Sequence, residues 1–477
     1  MKIYYRYLIL ATFLALFLVV VGCRREKKTS ISDKTEWTVP SVNLISSMIK
    51  ERMLYNGIGM VVGVIDGERQ SVITNGLSGA ENGRVLDGET VFQLGSLTKV
   101  ITNLLLAEMV TSGEVGLDDP ISDFLPPEIK LAEVGRPITL RDLATHTSGL
   151  PSMPTNFDIH GEPDPYAAYS VDELWSFLSS YTPQRAPGIK YAYSNLGVSL
   201  LGWALAIRMN TTYEDLVKDR VLVPLEMNST SITLSSEQLA RLAPGHSPYL
   251  QPIRTWEMAT LQASGSLRST ANDMLKLLEL YLGKSNNSHM VEAAKFQMGE
   301  GVQLDGTFFP LGLGLRSDGI YRHAGGKQGY RSGLAFNPRT GLAAVVLSNA
   351  RTYESEPMSI AMHLVAGEKL PPVARAPEDK PRVNIPTSEL EKFAGEYHNK
   401  AGEIWEVVVS GEFLRIRYPN NSIFEFVPSG PLDFYYNAGN DDIIFKLEDS
   451  GEVVGMKIYG DGKSEGDYQF VERVNRQ

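Results

Sequence analysis

The chain has 477 residues, 43% of them hydrophobic and 21% charged, which is enough to bury a large core and to build more than one domain. A net charge of −11 and a pI near 5.3, with no basic helix or aromatic-basic cluster, speak against nucleic-acid binding and for an acidic globular body. Cys23 is the only cysteine, so an intramolecular disulfide is excluded.

Lys2 and Arg6 followed by the apolar run from Tyr7 to Val21 read as the first two regions of a secretory signal, and the run is short for a span of about 20 residues. Val20-Val21-Gly22-Cys23 then resembles the lipobox of bacterial lipoproteins, in which the cysteine is lipidated and becomes the new N-terminus. The alternative is an uncleaved anchor with an incidental cysteine. We expect a signal over 1–22 and a tether over 23–40 whose Arg24, Arg25, Lys27 and Lys28 favour anionic headgroups. On either alternative the body is exported and held at a bacterial cell envelope, on its periplasmic or extracellular face.

Val42, Leu44, Ile45, Met48, Ile49 and Met53 predict an amphipathic helix. The run from Gly59 to Ile65, closed by Asp66-Gly67 and followed by Ser71 to Thr74, predicts a β-hairpin. Phe92-Gln93-Leu94-Gly95-Ser96-Leu97-Thr98-Lys99-Val100 then enters a helix marked by Ile101, Leu104, Leu105, Met109 and Val110. With that helix starting near Ser96, Ser96 and Lys99 lie on one face, a turn apart. A hydroxyl beside a partly desolvated amine becomes nucleophilic, because burial lowers the amine's pKa and frees a lone pair to take the proton. Ser47 and Lys50 have the same spacing, but they fall within a helix without companion motifs and read as a solvated face.

Further on, Thr139 is a candidate N-cap for a short helix before Gly149 and Pro151, and His146, set among Thr and Ser hydroxyls, reads as a structural hydrogen-bond hub. Asn156 to Tyr169 is a polar loop able to line a cleft, and Leu174 to Leu178 begins another helix. Tyr193 and Asn195 sit where a loop enters the apolar helix carrying Val198, Leu200, Leu201 and Trp203. Thr270 or Asn272 caps the helix through Leu280. Strand-like sequence resumes at Phe308 and runs through His323-Ala324-Gly325-Gly326 and Gly333 to Phe336, ending with Leu342 to Asn349, the continuous apolar run of a buried central strand. Ser359 to Val365 can close the region as a helix. The expected fold is α/β (α+β): over 41–368, an antiparallel sheet flanked by helices and split by a large helical insert.

Prolines at 371, 372, 377, 381 and 386 mark a stiff linker over 369–386. Beyond it, over 387–477, six short alternating runs predict a small antiparallel all-β barrel: Ile404 to Val409, Phe413 to Tyr418, Ile423 to Val427, Phe434 to Tyr436, Ile443 to Leu447 and Val453 to Ile458. It holds no catalytic constellation, and its expected role is to pack on the body or line the entrance to its site.

Ser96-x-x-Lys99 at a helix start, Tyr193-x-Asn195 before a helix and His323-x-Gly325 on a late strand occur in that order; the other Tyr-x-Asn sequences, at Tyr397, Tyr418 and Tyr435, fall in the barrel. With Leu143 to Pro151 and the apolar strand ending at Asn349, these stretches resemble the serine β-lactamase and penicillin-binding protein superfamily. The resemblance is to its class C β-lactamase, D-peptidase and esterase branch, many members of which carry a small C-terminal barrel. It implies acylation of Ser96, proton transfer by Lys99, general-base action by Tyr193 with its phenol pKa lowered by Lys99, and hydrogen bonding by Asn195. The oxyanion would rest on the backbone N–H groups of Ser96 and Gly326, beside His323 and Gly325. No metal or organic cofactor is implied. Many β-lactamases have Lys-Thr-Gly where this chain has His323-Ala324-Gly325, and a neutral histidine supplies no fixed charge for a substrate carboxylate. The reading therefore leans towards an ester or peptide-like amide, with a β-lactamase, a D-alanyl-D-alanine carboxypeptidase and a catalytically silent penicillin- or peptidoglycan-binding protein as alternatives. Lys327 restores a charge nearby, in a direction the sequence does not fix.

Overall fold

A computed structural model describes residues 37–474 apart from 57, 82, 161–163, 248–249, 351–355, 374–379, 437–440 and 460–468. The expected signal, Cys23 and most of the tether lie outside the described residues, as does part of the linker. Among the described residues no helix is long and apolar enough to cross a membrane. Val39–Gln477 forms one compact unit, and of the preceding unit, Met1–Thr38, only 37–38 are described.

Helix α1 (Val42–Asn56) leads into the hairpin of β1 (Gly59–Asp66) and β2 (Arg69–Gly76). Ser47 and Lys50 are exposed on α1, away from any motif partner. The chain then forms β3 (Phe92–Gln93), a 3-10 turn (Gly95–Leu97) and α2 (Thr98–Thr111), in which twelve residues, Thr98 to Met109, are buried. Helices α3 (Leu140–Ala144), α4 (Val171–Ser180) and α5 (Asn195–Arg208) belong to the insert. Thr139 caps α3 in a reciprocal pair with Asp142, and Ser170 does the same for α4 with Glu173. After β4 (Arg268–Ser269) come α6 (Ala271–Tyr281), capped by Thr270, and α7 (Ser288–Gly299). The strands β5 (Gly301–Leu304), β6 (Thr307–Pro310), β7 (Gly314–Leu315), β8 (Tyr321–Lys327), β9 (Tyr330–Asn337) and β10 (Leu342–Ser348) follow, and α8 (Glu356–Ala366) closes the region.

The main sheet is antiparallel with the order β2-β1-β10-β9-β8-β7. As the apolar run from Leu342 predicted, β10 is central and buried along its whole length. Pairing places Val62, Val346 and Gly333 in one row and Gly63, Val345 and Leu334 in the next, so the two glycines look out on opposite faces. A Cβ on Gly63 would touch Leu275 of α6 at 3.0 Å, and one on Gly333 would meet the Met358 backbone of α8 at 2.6 Å. The sheet is thus sandwiched between α6 and α8, and Gly333 allows α8 its close approach. At the outer edge β7 pairs only with Tyr321 and Arg322, so among the described residues β8 has no strand on that side from His323 onward.

The fold class agrees with the α/β expectation, and the barrel is present. It has eight strands where the sequence suggested six: β11 (Gly395–His398), β12 (Ile404–Ser410), β13 (Phe413–Arg417), β14 (Ile423–Pro428), β15 (Asp433–Tyr436), β16 (Asp442–Leu447), β17 (Val453–Tyr459) and β18 (Gln469–Arg473). The two additional strands pair with each other through Tyr397 and His398, which removes the free edges. Both are short and only partly apolar, so alternation alone did not reveal them. The barrel is also fastened to the body. Arg415, fully buried, donates to the Ile159 carbonyl at 2.9 Å, and Arg417 donates to the Thr155 carbonyl at 2.8 Å. Val408 and Ile423 complete the apolar core of the body.

Overpacking the sheet against α8 gives a direct check. Gly333→Ala is expected to cost about 1–3 kcal/mol, read as a fall in thermal midpoint. Gly299→Ala, where a Cβ meets nothing within 4 Å, should leave the midpoint nearly unchanged. Equal midpoints for both variants and wild type would contradict this packing.

Candidate active site

Ser96 lies in the 3-10 turn that precedes α2, and Lys99 lies in the first turn of that helix. The turn is held by β3 pairing with β4 and by the Leu94 N–H donating to the Leu267 carbonyl at 2.9 Å. Gly95 has φ +54°, a conformation that favours glycine, and a Cβ there would lie 2.7 Å from the Gly326 backbone. Gly325 is as closely fitted, since its Cβ would fall 2.1 Å from the Leu94 carbonyl oxygen. The two glycines bring β8 against the serine turn, which sets Gly326 next to Gly95 and so beside Ser96.

Lys99 is fully buried. Its Nζ donates to Asn195 Oδ1 at 2.8 Å and to the Ser264 carbonyl at 2.5 Å, and stands 3.2 Å from Ser96 Oγ. Burial pushes its pKa well below the ordinary lysine value, with nearby Lys327 adding repulsion. A neutral amine has two N–H donors and one lone pair. In the neutral form, with its two hydrogens on Asn195 and Ser264, the lone pair points to Ser96 Oγ. Asn195 stands at the first position of α5, while the Ser264 carbonyl closes a 3-10 turn (Gln262–Ser264) bound to α2 through Thr102, whose hydroxyl donates to the Ala263 carbonyl at 2.7 Å.

On the other side of the serine, Tyr193 donates its hydroxyl to Ser96 Oγ at 2.8 Å. Its ring is held by His146, 4.4 Å away between centroids, and His146 Nδ1 accepts the Ser194 N–H at 3.1 Å. His146 is thus the structural hub expected of it, supporting the tyrosine loop from a positive φ of 59°. Burial pushes its pKa down to about 3, so at neutral pH Nδ1 is free to accept. One expectation is corrected here. Desolvation raises the Tyr193 phenol above its ordinary value and outweighs the Ser96 hydrogen bond, so the resting phenol is a protonated donor and its pKa is not lowered by Lys99.

His323, half-buried on β8, has Nδ1 2.7 Å from the Ala324 carbonyl, and burial with the nearby Lys99 pushes its pKa down to about 4. It is therefore uncharged at neutral pH. Tyr193 divides the space around Ser96. A cavity of about 410 Å³ holds His146, His323, Tyr191 and Phe309, and a cleft of about 210 Å³ holds Ser96, Asn195, Lys327, Trp256 and the barrel residues Ile423, Phe424 and Tyr436. The larger barrel-body crevice of about 1160 Å³ adjoins this cleft at Trp256, Gln328 and Tyr436 but does not include Ser96. Ser96, Lys99, Tyr193, Asn195, Gly325 and Gly326 are thus brought together, with His323 at the neighbouring opening. Ser264 was not foreseen, because a backbone carbonyl leaves no mark in sequence, and neither were Trp256 or the barrel wall. Among the described residues no group of His, Cys, Asp or Glu is arranged to hold a metal ion.

A protein-family model described as Beta-lactamase matches residues 45–366. The D-alanyl-D-alanine-carboxypeptidase/endopeptidase AmpH of Escherichia coli K12 is 31% identical over 311 residues, covering 61% of this chain and 78% of that protein. Penicillin-binding protein 4* of Bacillus subtilis is 25% identical over 412 residues, covering 80% of this chain and 88% of that protein. Among solved structures, a β-lactamase/D-alanine carboxypeptidase from Yersinia pestis complexed with citrate superposes with a TM-score of 0.59 at 25% identity, over 69% of this chain and 99% of that one. A class C β-lactamase from Rhodobacter sphaeroides gives 0.58 at 26% identity, over 68% and 97%.

The protonation of Lys99 has a measurable consequence. The unfolded chain protonates this lysine below its ordinary value of 10.5, whereas the folded chain does so only at lower pH. The resulting penalty on folding is complete below the folded pKa and disappears as pH rises through the unfolded one. Relative to Lys99→Met, wild type should therefore gain stability between pH 7 and 10, by up to about 1.4 kcal/mol per pH unit. Parallel denaturant titrations with no such drift would mean that Lys99 is charged in the fold.

Proposed function

Because this chain belongs to the Beta-lactamase family of serine hydrolases, whose members include D-alanyl-D-alanine carboxypeptidases, we propose that it cleaves an ester or peptide-like amide through an acyl-Ser96 intermediate. The observation that carries the proposal is the hydrogen-bonded chain from Tyr193 through Ser96 to Lys99. Attack by Ser96 Oγ on the substrate carbonyl passes the hydroxyl proton to the Lys99 lone pair. Tyr193 then donates its phenolic proton to the leaving group and recovers one from Lys99, which also clears the amine for the next step. In deacylation water attacks the ester while the same pair carries its proton and returns hydrogen to Ser96. The tetrahedral oxyanion rests between the backbone N–H groups of Ser96 and Gly326, stabilisation of a kind worth about 3–4 kcal/mol per donor. An uncharged His323 supports esters and peptides over β-lactams as preferred substrates.

Mass spectrometry after treatment with a fluorophosphonate or a penicillin should find one adduct on Ser96, absent in Ser96→Ala. Tyr193→Phe should slow acylation by about 10²–10⁴. With turnover substrates, a short-chain aryl ester or a D-Ala-D-Ala peptide should outpace a chromogenic cephalosporin. Acylation that persists in Ser96→Ala would end the proposal, and a stoichiometric adduct without turnover on any substrate would favour a silent binder.

The N-terminal sequence supports export and lipid anchoring at Cys23. Palmitate labelling in bacterial cells should mark the wild-type protein, and Cys23→Ala should abolish the label and shift the protein out of the detergent-extracted membrane fraction. A label retained in Cys23→Ala would overturn the anchor.

A further inference from the structure

Lys327 is the last residue of β8, one position beyond Gly326, and only 7% of it is exposed. It shares the cleft with Ser96, Trp256, Met258 and the barrel residues Ile423 and Phe424. Among the described residues, no hydrogen bond or ion pair engages its ammonium. A lysine this deep is ordinarily paired, because an unpaired charge loses hydration without compensation. The charged groups that act on it are Glu257, Arg268 and Asp164 from the surrounding wall, and Lys99 from the floor of the site. Both carboxylates are already engaged. Glu257 is ion-paired with Arg268, while Asp164 accepts the backbone N–H groups of Tyr166, Ala167 and Glu257. The cleft therefore has a cation facing the space beside the nucleophile, with no anion paired to it among the described residues.

We propose that Lys327 determines specificity by neutralising a carboxylate on the part of the substrate that lodges between Trp256, Met258 and the barrel residues Ile423 and Phe424. The inference rests on acylation at Ser96 as proposed above and names a property of the substrate that this reading leaves open. It differs from recognition through the His323 end of β8, because Lys327 lies four residues on, about 13 Å along an extended strand. Burial holds the Lys327 pKa down at about 8, so the ammonium is present at neutral pH and is lost as pH rises through that value.

Benzylpenicillin and carbenicillin form a matched pair, since the second adds one carboxylate to the side chain on the acyl side. With the full-length protein in detergent, the acylation rate constant of Ser96 would be measured for each by mass spectrometry. The ratio of carbenicillin to benzylpenicillin should be about tenfold higher in wild type than in Lys327→Gln, as expected for one charge-assisted hydrogen bond. Lys327→Arg should keep most of the ratio. In wild type, without any substitution, the ratio should fall between pH 6.5 and 9.5. The groups that face Lys327 act on both penicillins and cancel in that ratio. An unchanged ratio in Lys327→Gln, a flat ratio across that pH range, or an equal loss on both penicillins would overturn the proposal, the last by reducing Lys327 to its effect on Lys99. In each of those cases the Ser96 adduct still forms and the acyl-transfer reading stands; no adduct with either penicillin or with a fluorophosphonate would overturn both.

Discussion

Holding the Lys99 amine inside a closed interior is the constraint on which the site depends. Lys99 has no contact with water, and its neutral form needs two acceptors for its hydrogens and one donor for its lone pair. The acceptors come from far along the chain, Asn195 at the start of α5 and the Ser264 carbonyl in a 3-10 turn, and the serine comes from three residues away. Loss of any one partner would leave the amine under-bonded in a medium where a missing hydrogen bond costs about 1–3 kcal/mol. The helical insert therefore does more than cover the sheet. It delivers Asn195, Tyr193 and Ser264 to an amine fixed at the start of α2.

A second requirement concerns β8. An oxyanion donor on that strand is useful only when the strand lies directly against the serine turn, and any side chain at 95 or 325 would prevent this. Glycine at those positions is therefore a matter of space between backbones, reinforced at Gly95 by its positive φ. The short β7 has a related effect, because it stops pairing at Arg322 and leaves the backbone beyond His323 open along the cleft. An exposed strand edge is ordinarily a hazard for aggregation, and here it is short. An extended peptide could pair with such an edge, which agrees with a peptide-like substrate.

Much of this was legible in the sequence where chemistry or periodicity is local. The hairpin at Asp66-Gly67, the buried run of β10 and the Thr139 cap each follow from a few neighbouring residues, and the structure has all three. Ser96-x-x-Lys99 had an equally spaced rival at Ser47, and only order along the chain with Tyr193, Asn195 and His323 separated them. What escaped notice was non-local. Ser264 contributes a carbonyl, which carries no residue signature. Desolvation raises the phenol of Tyr193, and the residues lining its cleft come from segments more than a hundred residues apart. Ile423 and Phe424 read simply as one strand of an appended barrel, yet the barrel's seat on the body places them in the wall of the cleft.

The position of positive charge along β8 connects the site's electrostatics to its chemistry. His323, at the end where related enzymes often carry a lysine, is held neutral by burial, while the cation stands at Lys327. Burial lowers the Lys99 pKa, and the nearby Lys327 adds repulsion to it. A substrate carboxylate beside Lys327 would offset that repulsion and make Lys99 a better proton acceptor as Ser96 begins its attack. The charge that selects the substrate would then also tune the base, favouring proton transfer only when the cleft is correctly filled.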